Sequence, residues 1–198
     1  MTVYEDGIYK NHFYEIVYDD APPSPREWDN LGTFCVTMWF NESDVRPHEI
    51  KDDPKRGLEE YWAEPVPVIL PVYKMQHSMI ALRTTPFSCP WDSGQIGWIY
   101  ATRSDILKNF GRQRLSARQL KMTEDILTWE VIEMSNYLNG DVYGYRIYQE
   151  DELVDSCFGF YDGIKLAKEA LQGEIDARRQ HLMQMPVTRA PIIQMLGA

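Results

Sequence analysis

Short connections between strand-like segments constrain this chain more than any other feature. Segments rich in β-branched and aromatic residues, which predict strands, are separated mainly by turns and by loops bounded by prolines. Parallel strands need crossovers of a dozen residues or more, so neighbouring strands joined this closely must be antiparallel. The segments are residues 8–18, 33–40, 66–75, 79–84 and 97–102, followed by a predicted hairpin over 141–162.

Two longer helices are predicted in the second half of the chain. Ser116 and Gln119 have capping-box spacing before an apolar pattern of near-helical period, which predicts a helix over about 117–138. A similar pattern predicts a second helix over about 164–182. We therefore expect an α+β domain, with both helices packed on one face of an antiparallel sheet.

The 198 residues fit one domain with two less regular parts. Residues 41–64 are polar, charged and interrupted by prolines, which predicts an acidic loop or insertion with a short helix near 57–62. The tail, residues 183–198, carries two prolines and is expected to extend along the domain or to be ordered by a partner.

The negative charge is concentrated in the first third of the chain. Residues 1–64 hold 15 acidic and 6 basic side chains, a net of −9 out of −10 for the whole protein. Such a surface attracts basic partners and disfavours direct binding to nucleic acid or an anionic membrane. A solubilising surface, a docking face for a basic protein and a divalent-cation site all remain open. The candidate binding residues are Asp19, Asp20, Glu42, Asp44, Asp52, Asp53, Glu59 and Glu60.

The cysteine and histidine spacing predicts no metal site and no cofactor. Cys35, Cys89 and Cys157 are an odd number without a CxxC pair, which argues against a disulfide framework and fits a reducing cytoplasm. The histidines are scattered, and nucleotide-binding glycine loops are absent. The longest uncharged stretch has 12 residues, so no transmembrane helix is expected, and the acidic N-terminus is unlike a secretory signal.

One stiff segment, residues 77–95, brings together side chains that could perform thiol chemistry. Cys89 as nucleophile, His77 as base and Asp92 as the group that orients the base would suit a small hydrolase or transferase. The structural alternative is that Trp91 packs into the core while Asp92 and Ser93 bind loop amides. A binding role is the third possibility.

Four short segments resemble a family of uncharacterised proteins of bacteriophages and other mobile elements. They are SPREWDNLGTF (24–34), TPFSCPWDSGQIGWIYATR (85–103), NGDVYGYRI (139–147) and DSCFGFYDG (155–163), which contain the motifs WDNLGT, CPWDSGQ, GDVYG and DSCFGFY. The resemblance spans roughly residues 12–163 with an interruption at 41–64. Family members more often have Asp-His-Ser-Gly around His77, where this chain has Met79 in place of the glycine.

The resemblance implies an accessory protein of the host cytoplasm but no activity, so it assigns no catalytic residue. Our leading hypothesis is a non-enzymatic acidic module that binds a basic protein surface of a host defence or nucleic-acid-handling complex and inhibits it. The alternatives are the Cys89 enzyme and a homo-oligomeric assembly protein.

Overall fold

The computed structural model describes residues 1–37, 50 and 53–184, with side chains described through residue 181. Eight strands, four α-helices and a short 3-10 helix lie within these residues. In chain order they are β1 (Val3–Tyr9), β2 (His12–Tyr18), the 3-10 helix (Pro25–Glu27), β3 (Thr33–Val36), α1 (Pro54–Trp62), β4 (Val68–Gln76), β5 (Ile80–Arg83), β6 (Ser93–Ala101), α2 (Arg103–Phe110), α3 (Ala117–Asn139), β7 (Tyr143–Gln149), β8 (Glu152–Phe160) and α4 (Ile164–Gln184).

The strands form two four-stranded sheets rather than one. Sheet A has the order β1-β2-β7-β8, sheet B has the order β3-β6-β4-β5, and every pairing in both is antiparallel. The α+β class and the two long helices are therefore confirmed. The helices are divided between the sheets, because α3 packs on sheet B and α4 packs on sheet A.

The first predicted strand, residues 8–18, in fact contains the end of one strand, a hairpin turn and the whole of the next strand. β1 ends at Tyr9 and β2 begins at His12, with Lys10 and Asn11 both at positive φ (47° and 68°). Two central residues at positive φ match the right-handed twist of paired strands. The β7–β8 hairpin turns in the same way at Glu150 and Asp151 (φ 50° and 67°).

Helix α3 starts and ends where its sequence predicts. The Ser116 amide donates to Gln119 Oε1 (2.9 Å), the Gln119 amide donates to Ser116 Oγ (3.3 Å), and Gly140 ends the helix at φ 70°. The last turn of α3 also covers the outer edge of sheet B. The amide of Ile80 donates to Asn139 Oδ1 (2.9 Å) and that of Leu82 donates to Ser135 Oγ (3.0 Å), so these edge amides are satisfied.

Helix α1 lies within the predicted acidic loop, 41–64. Asp53 caps it, since Asp53 Oδ1 accepts from the Arg56 amide (3.1 Å), and Leu58 is buried against Cys35 and Tyr100. Residues 41–49 and 51–52 of that loop, and 185–198 of the predicted tail, lie outside the described residues. In the described part of the chain, no helix has the length and apolar character needed to span a membrane.

The two sheets have separate hydrophobic cores, and a buried carboxylate on α3 binds the segment that connects β2 of sheet A to β3 of sheet B. Glu130 Oε1 accepts from the amides of Leu31 (2.9 Å) and Gly32 (3.1 Å), and its Oε2 lies 3.5 Å from the Arg26 guanidinium. Arg26 also donates to the Gly32 carbonyl (2.8 Å). Burial raises the pKa of Glu130, although these donors favour its charged form.

Aromatic contacts join this same segment to sheet A. Trp28 packs edge-on against Tyr161 with ring centroids 4.7 Å apart, and the Tyr161 hydroxyl donates to the Pro23 carbonyl. Asn136 of α3 donates to the Tyr161 carbonyl (2.5 Å), directly after β8. We call Glu130, Asn136, Tyr161 and the segment 23–32 the junction, since it connects α3 and sheet B to the end of sheet A.

Gly32 is required at the junction because a side chain would not fit there. A Cβ at this position would lie 2.6 Å from Glu130 Oε2 and 2.7 Å from Ile99 Cδ1. The glycine allows the backbone to approach the carboxylate closely enough to donate to it.

We expect Glu130→Ala to lower the free energy of unfolding by about 3–5 kcal/mol, because it leaves the buried amides of Leu31 and Gly32 without their acceptor and removes the carboxylate beside the half-buried Arg26 guanidinium. The matched control on the same helix is Glu124→Ala, which removes an exposed pair with Lys121 (3.2 Å) and should cost less than about 1 kcal/mol. Urea unfolding measures both. Equal losses in the two variants would contradict the role of Glu130.

Candidate functional site

The connection from β5 to β6, residues 84–92, is a loop with a fixed backbone; we call it the Trp91 loop. Arg83 stacks its guanidinium on the Phe87 ring (3.7 Å to the centroid) and donates to the carbonyls of Thr85 (2.9 Å) and Pro86. At the other end, the Gln76 amide donates to the Asp92 carbonyl (2.9 Å). These contacts hold both ends of the loop to sheet B.

The loop presents Trp91 to solvent instead of burying it. The Trp91 side chain is 92% exposed, so the expectation that it packs into the core is wrong. The neighbouring residues account for the exposure. Pro90 precedes Trp91, and the polar residues Asp92 and Ser93 follow it, so the segment has no pattern of apolar residues that would form a buried face. Met79, in the β4–β5 turn, is another exposed apolar side chain.

The three predicted catalytic side chains do come together. Asp92 Oδ2 lies 3.6 Å from Cys89 Sγ and 3.6 Å from His77 Nδ1. One oxygen of the carboxylate therefore contacts both the thiol and the imidazole. In a catalytic triad the imidazole contacts the thiol and acts as its base, and the carboxylate contacts the far side of the imidazole. Here Asp92, and not His77, contacts the Cys89 thiol, so the arrangement differs from that of a triad.

The remaining predicted contacts of the loop are partly present. Ser93 Oγ donates to the Cys89 carbonyl (2.5 Å) and so closes the loop, although the prediction was that Ser93 would bind a loop amide. Asp92 instead accepts from the Cys89 thiol and faces His77, whose side chain is largely exposed. An open pocket beside Trp91 is lined in part by Lys74, Gln76 and Ile96, and burial lowers the pKa of Lys74.

The described members of the predicted acidic set lie in two places. Asp19 and Asp20 follow β2: Asp19 Oδ1 accepts from the Ala21 amide (3.3 Å), and Asp20 pairs with the N-terminal ammonium of Met1 (2.7 Å). This group lies at the end of sheet A.

The other described members belong to α1, which packs beside sheet B. Asp53 caps the helix, Glu60 pairs with Arg56 (2.9 Å) and Glu59 accepts from the Val66 amide (3.2 Å). Glu42, Asp44 and Asp52 lie outside the described residues.

Other acidic side chains of the first third pair with cations from the last third. Glu5 Oε2 lies 2.6 Å from Lys168 Nζ, and Glu15 Oε2 lies 3.6 Å from Arg146 Nη1. The concentration of charge seen along the sequence is thus reduced in space, because β1 and β2 lie against β7 and α4.

Most of the segments that carry the family resemblance contain residues with a structural role. Gly32, Asn139 and Tyr161 make the contacts described above. At Gly97, φ is 154° and a Cβ would overlap the Cys35 carbonyl oxygen. The exposed indole of Trp91 is different, because burial does not account for it.

No family model, curated protein or solved structure matches this chain. Within residues 1–37, 50 and 53–184, no group of three or more His, Cys, Asp and Glu side chains is arranged to hold a metal ion.

The order of contacts around Asp92 predicts that Cys89 is not an activated nucleophile. Iodoacetamide should alkylate Cys89 no faster than Cys157, an exposed thiol in the same molecule that serves as the internal control. Peptide mass spectrometry at neutral pH measures both rates. Alkylation of Cys89 faster by about tenfold or more, and slowed by His77→Ala, would instead support a catalytic thiol.

Proposed function

We propose that this protein is a non-catalytic module that binds another protein through the Trp91 loop. The observation that supports this is the 92% exposure of Trp91 on a loop fixed to sheet B at both ends. Tryptophan is enriched among the residues that contribute most to protein interfaces. A loop already fixed before binding loses little conformational entropy when its partner arrives.

The partner in this proposal has a basic surface. The net charge of −10 favours encounter with a cationic protein and disfavours nucleic acid. The five described members of the predicted acidic set have local partners, so we expect them to contribute to the long-range attraction rather than to the buried contact. Asp19, Asp20, Asp53, Glu59 and Glu60 contribute to that field, together with Glu42, Asp44 and Asp52.

The biological setting follows from the resemblance to phage and mobile-element proteins. Within that setting, the protein is an accessory factor of the host cytoplasm that inhibits a defence or nucleic-acid-handling complex by covering its basic surface. The segment CPWDSGQ, which is part of the resemblance, supplies Trp91, so the proposed contact lies within the part of the chain shared with that family.

A second candidate function is a cysteine-dependent hydrolase or transferase. It is favoured by the approach of His77 and Cys89 to the same oxygen of Asp92. The side chains would have to exchange positions for the imidazole to remove the thiol proton, which makes this the weaker candidate.

Trp91→Ala should weaken capture of the host partner by about tenfold or more, since a central interface tryptophan contributes 2 kcal/mol or more. The matched control is Trp129→Ala, which removes another indole, 57% exposed on α3, and should bind as the unaltered protein does. Quantitative pull-down from the native host, read by mass spectrometry, compares the three proteins.

Thermal unfolding should show that both variants remain folded, because neither indole is buried. A partner captured equally by Trp91→Ala and the unaltered protein would contradict the proposed contact. Partner binding that does not weaken with added salt would contradict the proposed charge attraction.

A further inference from the structure

Two neighbouring groups of the Trp91 loop are available to a ligand. The Trp91 indole is 92% exposed and makes no hydrogen bond or ring contact within the part of the chain that the structure describes. Asp92 follows it and contacts Cys89 and His77, in both cases through Oδ2. Among the described residues, Asp92 Oδ1 has no hydrogen-bond or ion-pair partner. An aromatic face and a carboxylate oxygen are therefore presented on adjacent residues.

The surface beside these two groups is open. Trp91, Asp92 and Gly94 line the same pocket. A Cβ built on Gly94 would meet no atom of the described residues within 4 Å, so a ligand can approach the carboxylate from that side. The contacts that fix both ends of the loop hold the indole and the carboxylate in place before a ligand arrives, which lowers the entropic cost of binding.

The junction shows which chemical group fits between an aromatic ring and a carboxylate. Arg26 stacks on Phe34, with 4.9 Å from the guanidinium carbon to the ring centroid, while Glu130 Oε2 lies 3.5 Å from its Nη1. A planar guanidinium can stack on a ring and also donate in its own plane to a carboxylate. The ammonium of lysine is a compact point charge, so it gains less from this arrangement.

We propose that Trp91 and Asp92 together bind one arginine side chain on the basic surface of the partner; we call these two residues the arginine site. The site rests on the function proposed above, because it specifies which group of the partner the Trp91 loop contacts. The guanidinium stacks on the indole and donates to Asp92 Oδ1. Tryptophan gives the strongest cation–π contact of the aromatic side chains, and the carboxylate adds a charge-assisted hydrogen bond.

Two neighbouring side chains determine where the guanidinium lies. His77 Nδ1 is 3.6 Å from Asp92 Oδ2 and therefore occupies that side of the carboxylate. Lys74 also lines the pocket, is only 7% exposed, and repels a cation placed deep within it. The guanidinium is therefore expected at the rim of the pocket, on the Oδ1 side of the carboxylate and against the exposed indole.

Titration with short peptides tests the arginine site in the full-length chain without the host partner. The probe is a Gly-Arg-Gly tripeptide with blocked ends, compared with peptides that carry lysine or citrulline in place of arginine. Citrulline has nearly the shape of arginine but no charge. The NMR signal of the Trp91 indole N–H, assigned with Trp91→Phe, reports binding through the slope of its shift against peptide concentration.

The Trp129 indole is the internal control in the same spectra. It is also exposed, and the carboxylate one helical turn away, Asp125, pairs with Lys121 (3.2 Å). We expect the arginine peptide to shift the Trp91 signal about fivefold more steeply than the citrulline peptide and about twofold more steeply than the lysine peptide. The Trp129 signal should barely move. Equal slopes at Trp91 for arginine and citrulline, or for arginine and lysine, would overturn the arginine site.

Two variants test the contacts of the site. Asp92→Asn removes the negative charge and should reduce the slope for the arginine peptide about threefold. Gly94→Leu should reduce it to a similar extent, because the leucine side chain fills the open surface beside the carboxylate. Gly173→Leu is the control, since a Cβ at Gly173 also meets nothing within 4 Å, and it should leave the slope unchanged. Full binding by both Asp92→Asn and Gly94→Leu would contradict the proposed geometry.

The arginine site and the proposed function can fail separately. Loss of partner capture by Trp91→Ala, without any preference of the unaltered protein for the arginine peptide, would leave the proposed function in place and overturn the arginine site. A clear arginine preference, with undiminished capture by Trp91→Ala, would support the site and contradict its proposed use in binding the partner.

Discussion

The buried carboxylate of Glu130 is the interaction on which the rest of the architecture depends. It accepts from the amides of Leu31 and Gly32 and lies beside the Arg26 guanidinium, so it fixes the segment that leads from sheet A to sheet B. Burial of a carboxylate is costly, and here the cost is offset in part because three donors converge on it. The same segment places Trp28 against Tyr161 at the end of sheet A. Without the junction, each sheet would keep a core of its own but lose its fixed position relative to the other.

Local rules predicted the elements well. The Ser116–Gln119 capping box gave the start of α3, and the apolar spacing gave α4 to within a few residues. The division into two sheets was not predicted, since it depends on which distant strands pair. The hairpin turn at Lys10 and Asn11 was missed because it contains no glycine, although asparagine tolerates positive φ. The burial of Glu130 has no local signal at all, because its donors lie almost a hundred residues away.

At the candidate site, too, the sequence predicts which residues lie near one another but not how they contact one another in the folded protein. Proximity along the chain correctly grouped His77, Cys89 and Asp92, but it could not give the order in which they touch. The charge count along the sequence places nearly all of the net negative charge in the first third of the chain. In the folded protein, Lys168 and Arg146 lie against two carboxylates of that third. Trp91 was expected in the core because tryptophan is usually buried, and the Pro-bounded loop overrides that tendency. An exposed indole on a fixed loop, within an acidic molecule, is the basis of the binding function proposed here.

The central claim is that the junction couples two separately packed sheets into one cooperative unit. Native-state hydrogen exchange in increasing denaturant tests it most directly, by comparing amides of β7 in sheet A with amides of β6 in sheet B. We expect both sets of amides to exchange through global unfolding with the same free energy. An opening free energy for sheet A lower than that of sheet B by more than about 1.4 kcal/mol, a factor of ten in population, would show that the sheets unfold independently and would contradict it.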